Sequence, residues 1–233
     1  MRSRFDDRAI LLGPAIKPGL QCKKLIKSLK INNSDWLIGV DGGAHTWLKL
    51  GFMPNLAVGD WDSLKNTRSQ RRVLKYLSHL TLPRDKDRSD LFYAACAAVN
   101  AGKKHLVCLG VTGGRPDHHL AMIYDLADIA AESGGQLKTV MALDADAEYY
   151  FLSKHIPQWI GRLLVGQTVS IFSINRITTG VTLTGMLYAL KNAKLAPSSL
   201  GLSNKIVKQH CSVTLCSGRL LVLIPKEPKW SQV

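Results

Sequence analysis

The first part of the chain alternates short apolar runs with longer segments that have helical spacing. The apolar runs predict strands at residues 9–12, 36–40, 56–58, 77–82 and 105–109. The segments between and after them predict helices at residues 20–29, 44–50 and 64–76, a helix capped by Asp87 and ended by Gly102, and a helix that ends at Ser133. Strands that alternate with helices are typical of an α/β unit with a parallel sheet.

Beyond about residue 137 the pattern changes to strands with no helix between them. The strand-like segments are 138–143, 149–152, 168–174, 180–183, 212–216 and 219–224. Ser217-Gly218, between the last two segments, predicts a hairpin turn. We therefore expect two domains, an α/β domain at residues 1–145 and an all-β domain at residues 146–233.

Charge is distributed unevenly between these two parts. The 233 residues carry a net charge of +14, yet 16 of the 17 acidic residues lie at or before Glu148. The 10 lysines and arginines after Glu148 are scattered, with no run of four. A solvated basic face that attracts phosphates is favoured over a specific DNA or RNA site.

Composition narrows the class of protein and the cellular compartment that we expect. The hydrophobic fraction of 46% and the charged fraction of 21% are typical of a soluble globular protein. No apolar run approaches the ~20 residues of a membrane span, and we expect no signal peptide at the N-terminus. The five cysteines form no CxxC pair, which favours buried free thiols and the cytoplasm. They are Cys22, Cys96, Cys108, Cys211 and Cys216.

Acidic residues follow several of the predicted strands. Asp41 follows the second strand, the pair Asp60 and Asp62 follows the third, and Asp85, Asp87 and Asp90 follow the fourth. Because the carboxyl ends of parallel strands meet at one edge of a sheet, we expect these carboxylates to converge there. Carboxylates and substrate phosphates together suit Mg²⁺. The alternative is that Asp and Gly mark surface turns, with Asp87 as a helix cap.

The fifth strand is followed by a glycine-rich turn. Gly113-Gly114-Arg115 lies in this turn, directly before a predicted helix. A turn of this type, with an arginine in it, is a phosphate cradle. Taken alone the signal is weak, because it matches neither a Walker loop nor the GxGxxG pattern.

Taken together, these motifs resemble those of the thiamin pyrophosphokinase family. The family's DGG, GDxDS, DKDxTD and GGRxDH motifs stand here, in the same order, as Asp41-Gly42-Gly43, Gly59-Asp60-Trp61-Asp62-Ser63, Asp85-Lys86-Asp87-Arg88-Ser89-Asp90 and Gly113-Gly114-Arg115-Pro116-Asp117-His118. The segments 180–190 and 202–205 are similar to that family's strand-turn and Ser-Asn elements. The resemblance thus covers nearly the whole chain, although Leu202 and Lys205 stand where Thr and Glu are usual.

The resemblance implies a Rossmann-like nucleotide-binding domain followed by a β-sandwich domain, in a homodimer. It implies transfer of the pyrophosphoryl group of ATP to thiamin, which gives thiamin diphosphate and AMP. Asp60, Asp62 and Asp90 would hold Mg²⁺, and Asp41 would orient or deprotonate the thiamin hydroxyl.

The resemblance also implies two groups of binding residues. The nucleotide-binding residues would be Gly42, Gly43, Lys86, Gly113, Gly114, Arg115 and Asp117, with Asp117 either on the nucleotide or as a brace for Arg115. Ser203 and Asn204 would bind the substrate, unless they only close a turn. Of His118 and His119, one is expected to be structural.

Two alternative functions stay open at this point. A related pyrophosphokinase that acts on another hydroxymethyl heterocycle, such as a pterin, would share the phosphate-handling motifs. A basic nucleotide- or nucleic-acid-binding module without catalysis would share the charge, but carboxylates without a metal repel phosphodiesters.

Overall fold

The computed structural model describes residues 7–16, 19–61, 75–174 and 176–226, and every structural statement below concerns these residues. The helices are α1 Leu20–Leu29, α2 Gly43–Lys49, α3 Asp90–Asn100 and α4 Pro116–Glu132. The strands are β1 Arg8–Leu12, β2 Trp36–Val40, β3 Leu56–Gly59, β4 His79–Thr81, β5 His105–Leu109, β6 Thr139–Leu143, β7 Ala147–Ser153, β8 Gln158–Arg162, β9 Thr168–Ser173, β10 Thr178–Thr184, β11 Leu190–Leu195, β12 Asn204–Lys205, β13 His210–Thr214 and β14 Arg219–Pro225. The predicted helix at 64–76 falls almost entirely outside the described residues.

The chain forms two compact units that are not two continuous halves of the sequence. The first unit comprises Met1–Asp125 and Ala142–Ala145, and the second comprises Leu126–Met141 and Asp146–Val233.

The first unit contains the predicted parallel sheet. Its strands pair in the order β5, β1, β2, β3 and β4, and every one of these pairs is parallel. All five residues of β1 are buried, as expected for a strand covered on both faces, whereas all three residues of β4 are exposed. The mixed α/β architecture predicted from the sequence is confirmed.

Helix α3 begins differently from the prediction. Ser89 is its N-cap, because the Ser89 hydroxyl accepts a hydrogen bond from the backbone N–H of Phe92 at 3.3 Å. Asp90 is therefore the first helical residue, and the prediction that Asp87 caps this helix was wrong. A hydroxyl at position 89 is placed to reach the third N–H of the helix, while Asp87 lies two residues too early.

Helix α2 packs unusually close to the sheet. A Cβ added to Gly43 would lie 1.7 Å from the backbone oxygen of Leu12, and one added to Gly39 would lie 2.3 Å from the Cα of Ala44. Helix and strand backbones can approach this closely only because no side chain stands between them. The glycines therefore fix the position of the first turn of α2, directly after Asp41.

The second unit is built mainly from antiparallel strand pairs. In one set β12 pairs with β9, β9 with β14, and β14 with β7; in the other, β11, β10, β13 and β8 follow one another. The predicted hairpin at Ser217-Gly218 was wrong, since β13 and β14 belong to different sets. The N–H groups of Cys216 and Ser217 instead donate to the backbone oxygen of Thr179, which directs the chain away from β13.

Two features of the described residues bear on the environment of the chain. No helix among them is long and apolar enough to cross a membrane. No disulfide joins the five cysteines, all of which lie in the described part of the chain, and Cys22, Cys108 and Cys211 are buried. Cys96 and Cys216 are exposed, so the expectation of burial was wrong for these two.

Candidate active site

A cavity of about 670 Å³ opens at the carboxyl ends of the parallel strands of the first unit. The residues that follow these strands line it: Gly13 after β1, Asp41 after β2, Asp60 after β3 and Gly110 after β5. The other lining residues include Lys86, Ser89, Asp90, Gly113, Gly114, Arg115 and His118. Ligands of open α/β sheets bind at this edge.

Three of the acidic residues predicted to converge do so in this cavity, namely Asp41, Asp60 and Asp90. Asp85 and Asp87 are exposed and are not among the lining residues. Asp62, which was predicted to hold a metal with Asp60 and Asp90, lies outside the described residues. Within the described part of the chain, no group of three or more His, Cys, Asp and Glu side chains is arranged to hold a metal ion.

Asp41 has an unusual environment for a carboxylate. Its backbone is left-handed, with φ of 49°, and its N–H donates to the backbone oxygen of Val58 at 2.8 Å. Its Oδ1 is buried without a hydrogen-bond partner, and a Cβ added to Gly59 would lie only 2.4 Å from it. Burial first, and then the nearby carboxylates of Asp90 and Asp60, raise the pKa of Asp41 to about 8. At neutral pH this carboxyl group holds a proton much more tightly than an ordinary aspartate.

This pKa leads to a prediction about stability without ligands. The folded protein binds the Asp41 proton more tightly than the unfolded chain, so stability is lost as the pH rises from about 4 to about 8. Asp41→Asn removes the titrating group and tolerates the left-handed backbone. We expect the variant to gain up to about 5 kcal/mol in the free energy of unfolding at pH 8.5, because about 4 pH units count at about 1.4 kcal/mol each, and almost nothing at pH 4. Urea unfolding in a chelating buffer measures the difference, and an equal gain at both pH values would contradict it.

Lys86 places one positive charge beside the acidic cluster. Its Nζ lies 3.1 Å from Oδ1 of Asp90 and 3.8 Å from Oδ2 of Asp60, and it donates to the backbone oxygen of Pro83 at 3.1 Å. Oδ1 of Asp90 is buried and has no hydrogen-bond partner, so the contact between Lys86 and Asp90 is an ion pair without hydrogen-bond geometry. Lys86 was predicted as a charge for the nucleotide, and its position beside two carboxylates was not foreseen.

The glycine-rich turn places Arg115 at the cavity with Asp117 as its partner. Gly113 and Gly114 both have left-handed backbones, with φ of 83° and 71°. Arg115 donates two hydrogen bonds to the carboxylate of Asp117, from Nε at 3.1 Å and from Nη2 at 2.6 Å. The hydrogen bond from Arg115 lowers the pKa of Asp117 to about 2. Of the two roles considered for Asp117, the geometry favours the brace for Arg115.

Two further acidic residues act near the cavity and were not singled out in the sequence. Asp144 follows β6, and its Oδ2 accepts a hydrogen bond from the Thr112 hydroxyl at 2.7 Å. Asp125 accepts a hydrogen bond from the hydroxyl of Ser89 and forms an ion pair of 3.5 Å with Arg88. The strand-end rule that selected Asp41 would also have selected Asp144.

The remaining predicted residues lie elsewhere. Gly42 and Gly43 are not among the lining residues of the cavity, and the close backbone contact of Gly43 is with β1. Ser203 and Asn204 belong to the second unit. Asn204 is buried, and its amide bonds both the N–H and the backbone oxygen of Tyr188, each at 3.0 Å. His119 accepts a hydrogen bond from the N–H of Gly113.

A parallel sheet with three carboxylates, a lysine and a glycine-rich turn at its carboxyl edge defines the site of a nucleotide-dependent phosphotransferase. Comparison with known proteins specifies the class further. The family model "Thiamin pyrophosphokinase, catalytic domain" matches residues 28–155, and the model "Thiamin pyrophosphokinase, vitamin B1 binding domain" matches residues 155–220. The chain therefore belongs to the thiamin pyrophosphokinase family, as its motifs indicated.

Individual relatives agree with this assignment. Thiamine pyrophosphokinase of Bacillus subtilis is 26% identical over 193 residues, which are 80% of this chain and 85% of that protein. Its crystal structure has a TM-score of 0.77 at 22% identity, with 95% of this chain and 100% of that chain covered. The thiamin pyrophosphokinase structure from Candida albicans has a TM-score of 0.72 at 17% identity, with 95% and 90% covered. At 22% and 17% identity, the similarity to these two solved structures supports the fold alone.

Proposed function

We propose that the chain transfers the pyrophosphoryl group of ATP to the hydroxyl of thiamin, which gives thiamin diphosphate and AMP. The observation that carries this proposal is the convergence of Asp41, Asp60, Asp90 and Lys86 with the glycine-rich turn in one cavity. The family matches to both a catalytic and a vitamin B1 binding domain favour thiamin over a pterin, and catalysis over a nucleic-acid-binding module.

The direct test is an assay with purified protein, ATP, Mg²⁺ and one of two alcohols, thiamin or a hydroxymethylpterin. We expect thiamin diphosphate and AMP in equal amounts with thiamin, and background AMP with the pterin. Chromatography of the nucleotides identifies AMP as the leaving product. ADP in its place would indicate transfer of a single phosphoryl group and would contradict the proposal.

In this reaction the residues of the chain act by position and charge. The thiamin hydroxyl attacks the β-phosphorus of ATP while AMP departs, so negative charge must be accommodated on phosphate oxygens. Asp41 is the group that orients the hydroxyl and, in its ionised form, accepts its proton. A carboxyl with a pKa of about 8 is a stronger base once ionised than an ordinary aspartate, and a cation held by Asp60 and Asp90 would favour the ionised form.

The carboxylates of Asp60 and Asp90, completed by Asp62, would suit a divalent cation. Oδ1 of Asp41 and Oδ1 of Asp90 are buried without hydrogen-bond partners, and oxygen atoms of this kind are the ligands that Mg²⁺ accepts. Asp60, Asp62 and Asp90 would hold the ion. When bound, it neutralises charge on the phosphates. The ion pairs of Lys86 with Asp60 and Asp90 must then loosen, which would free the ammonium group for a phosphate.

The glycine-rich turn is the proposed phosphate cradle. Gly113, Gly114 and Arg115 line the cavity, and the guanidinium can present its planar fork to a phosphate. Arg115 is 72% exposed and Asp117 63% exposed, so this brace is accessible to a ligand. Gly42 and Gly43 contribute indirectly, by setting the first turn of α2 behind Asp41.

The second unit would supply the thiamin pocket. We propose domains at residues 1–145 and 146–233, a Rossmann-like arrangement for the first and a β-sandwich for the second. The antiparallel strand sets of the second unit support the latter. Ser203 and Asn204 would serve thiamin, with Asn204 acting through the backbone of Tyr188 that it holds.

A homodimer is part of the same proposal. Several large apolar side chains of the second unit are exposed over 44–81% of their surface, and exposed apolar surface can mark a protein–protein interface. They are Leu187, Tyr188, Leu200, Leu202 and Val207. Burial of these side chains against a second copy would remove them from water.

Asn204→Ala tests the role of this segment. The change removes both hydrogen bonds to Tyr188, so we expect a lower melting temperature and a KM for thiamin raised by about 3- to 10-fold. The KM for ATP should change by less than about twofold. Steady-state kinetics with each substrate varied in turn measures the difference. An equal rise for both substrates would assign Asn204 to general stability.

A further inference from the structure

The glycine-rich turn is held by two side chains that do not line the cavity. The backbone N–H of Gly113 donates to Nδ1 of His119 at 3.1 Å. The hydroxyl of Thr112 donates to Oδ2 of Asp144 at 2.7 Å. Two adjacent residues of the turn are thus held by different segments, one by α4 and one by the segment after β6.

The two glycines of the turn have open space around them. A Cβ added to Gly114 would meet no atom within 4 Å, and one added to Gly113 would meet only Oδ2 of Asp144, at 3.6 Å. Two consecutive left-handed glycines can adopt many backbone conformations, so the turn depends on its hydrogen bonds for a single one.

His119 is placed to supply the main restraint. Helix α4 begins at Pro116, and the N–H of His119 donates to the backbone oxygen of Arg115 at 3.0 Å, as the first turn of the helix closes. From this position the imidazole extends back to Gly113. Because a backbone N–H can only donate, Nδ1 must be the unprotonated acceptor. The same residue therefore joins the start of α4 to the turn that precedes it.

We propose that His119 is a positioning residue for the nucleotide phosphates, with Asp144 as a second brace through Thr112. This role rests on the proposed function, since it assumes that the turn binds phosphate. The two braces hold Gly113, Gly114 and Arg115 in the conformation that the phosphates require. A nucleotide that binds to an ordered turn does not have to supply the free energy of ordering it.

A matched pair of substitutions tests this role. His119→Asn retains an acceptor at about the distance of Nδ1 from the backbone, while His119→Gln moves its amide to the position of Nε2. We expect His119→Gln to raise the Kd and KM for ATP by about 3- to 10-fold, with the KM for thiamin changed less than about twofold. His119→Asn should remain within about twofold of wild type for both substrates.

A second variant acts on the same turn without touching His119. Thr112→Val keeps the volume of the side chain but removes the donor to Asp144, and Thr112 is buried. We expect the Kd for ATP to rise, as in His119→Gln, when it is measured by calorimetry with Mg²⁺ and ATP. An additive rise in a combined Thr112→Val, His119→Gln protein would fit two separate braces.

The outcomes separate this inference from the proposed function. If wild-type protein binds ATP but forms no thiamin diphosphate, the function fails while the calorimetric comparison still tests His119. If wild-type protein forms thiamin diphosphate but His119→Gln and His119→Asn bind ATP alike, the inference is wrong and the function stands. A parallel loss for ATP and thiamin with a lowered melting temperature would also overturn it.

Discussion

Asp90→Asn is expected to reduce thiamin diphosphate formation at least about 100-fold while the protein stays folded. Asn has nearly the shape of Asp, and helix α3 keeps its Ser89 cap. The substitution removes one negative charge from the group that would hold Mg²⁺ and places a neutral amide beside Lys86, which lies 3.1 Å from the carboxylate. Saturating ATP, Mg²⁺ and thiamin should not restore the rate, because the loss concerns charge in the transition state.

The control for this prediction comes from the same motif. Asp87 is exposed and is not among the residues that line the cavity. Asp87→Asn changes the net charge of the protein by the same amount, and we expect its rate to remain within about twofold of wild type. AMP and thiamin diphosphate are measured by chromatography, and circular dichroism checks the fold. If both variants lost activity equally, general electrostatic attraction of the nucleotide would explain the effect, and the assignment of Asp90 would be wrong.

The position of the acidic cluster could be predicted because it follows from a simple rule. Asp41 and Asp60 follow adjacent parallel strands, and the carboxyl ends of such strands meet at one edge. Strand periodicity was sufficient to locate those ends to within a residue. Asp144 follows β6 in the same way, and the rule would have found it had that strand been treated as part of the same edge.

The partners of the cluster could not be predicted, because they depend on side-chain directions. The sequence gives no sign that Lys86 contacts Asp60 and Asp90 instead of solvent. Whether Asp87 or Ser89 caps α3 depends on where the first helical residue falls, which differs by two positions between the alternatives. Contacts such as the one between His119 and Gly113 need the three-dimensional turn.

In the second unit, strand prediction was limited by composition. Strand β11 consists of Leu190–Leu195, rich in lysine, with no β-branched or aromatic residue, and β8 is interrupted by Gly161. Strand β11 lacks the composition that favours strands, whereas β8 carries Trp159 and Ile160 but is short and contains a glycine; β11 is held by pairing with β10, and β8 by pairing with β13. The hairpin prediction failed for a related reason, since adjacent strand-like segments separated by Ser-Gly need not pair with each other.

A second large effect, on stability, is expected from a substitution in the glycine pair that follows Asp41. Gly43→Ala is expected to destabilise the protein by at least about 3 kcal/mol, or to prevent folding. The added Cβ would lie 1.7 Å from the backbone oxygen of Leu12, in a strand paired on both sides within the parallel sheet, where neither α2 nor β1 can move without disturbing its neighbours. Any folded fraction should also lose activity, because a displaced α2 carries Asp41 with it.

Gly42→Ala is the matched comparison for stability. Gly42 has φ of −58°, which alanine adopts readily, and a Cβ there would lie 3.6 Å from the Cβ of Pro14, an ordinary contact. We expect its free energy of unfolding to stay within about 0.5 kcal/mol of wild type. Urea unfolding of both variants, in the absence of ATP, measures the contrast between two neighbouring glycines. Equal stability of Gly42→Ala and Gly43→Ala would mean that α2 does not lie against β1 as closely as described, and that Asp41 is positioned by other contacts.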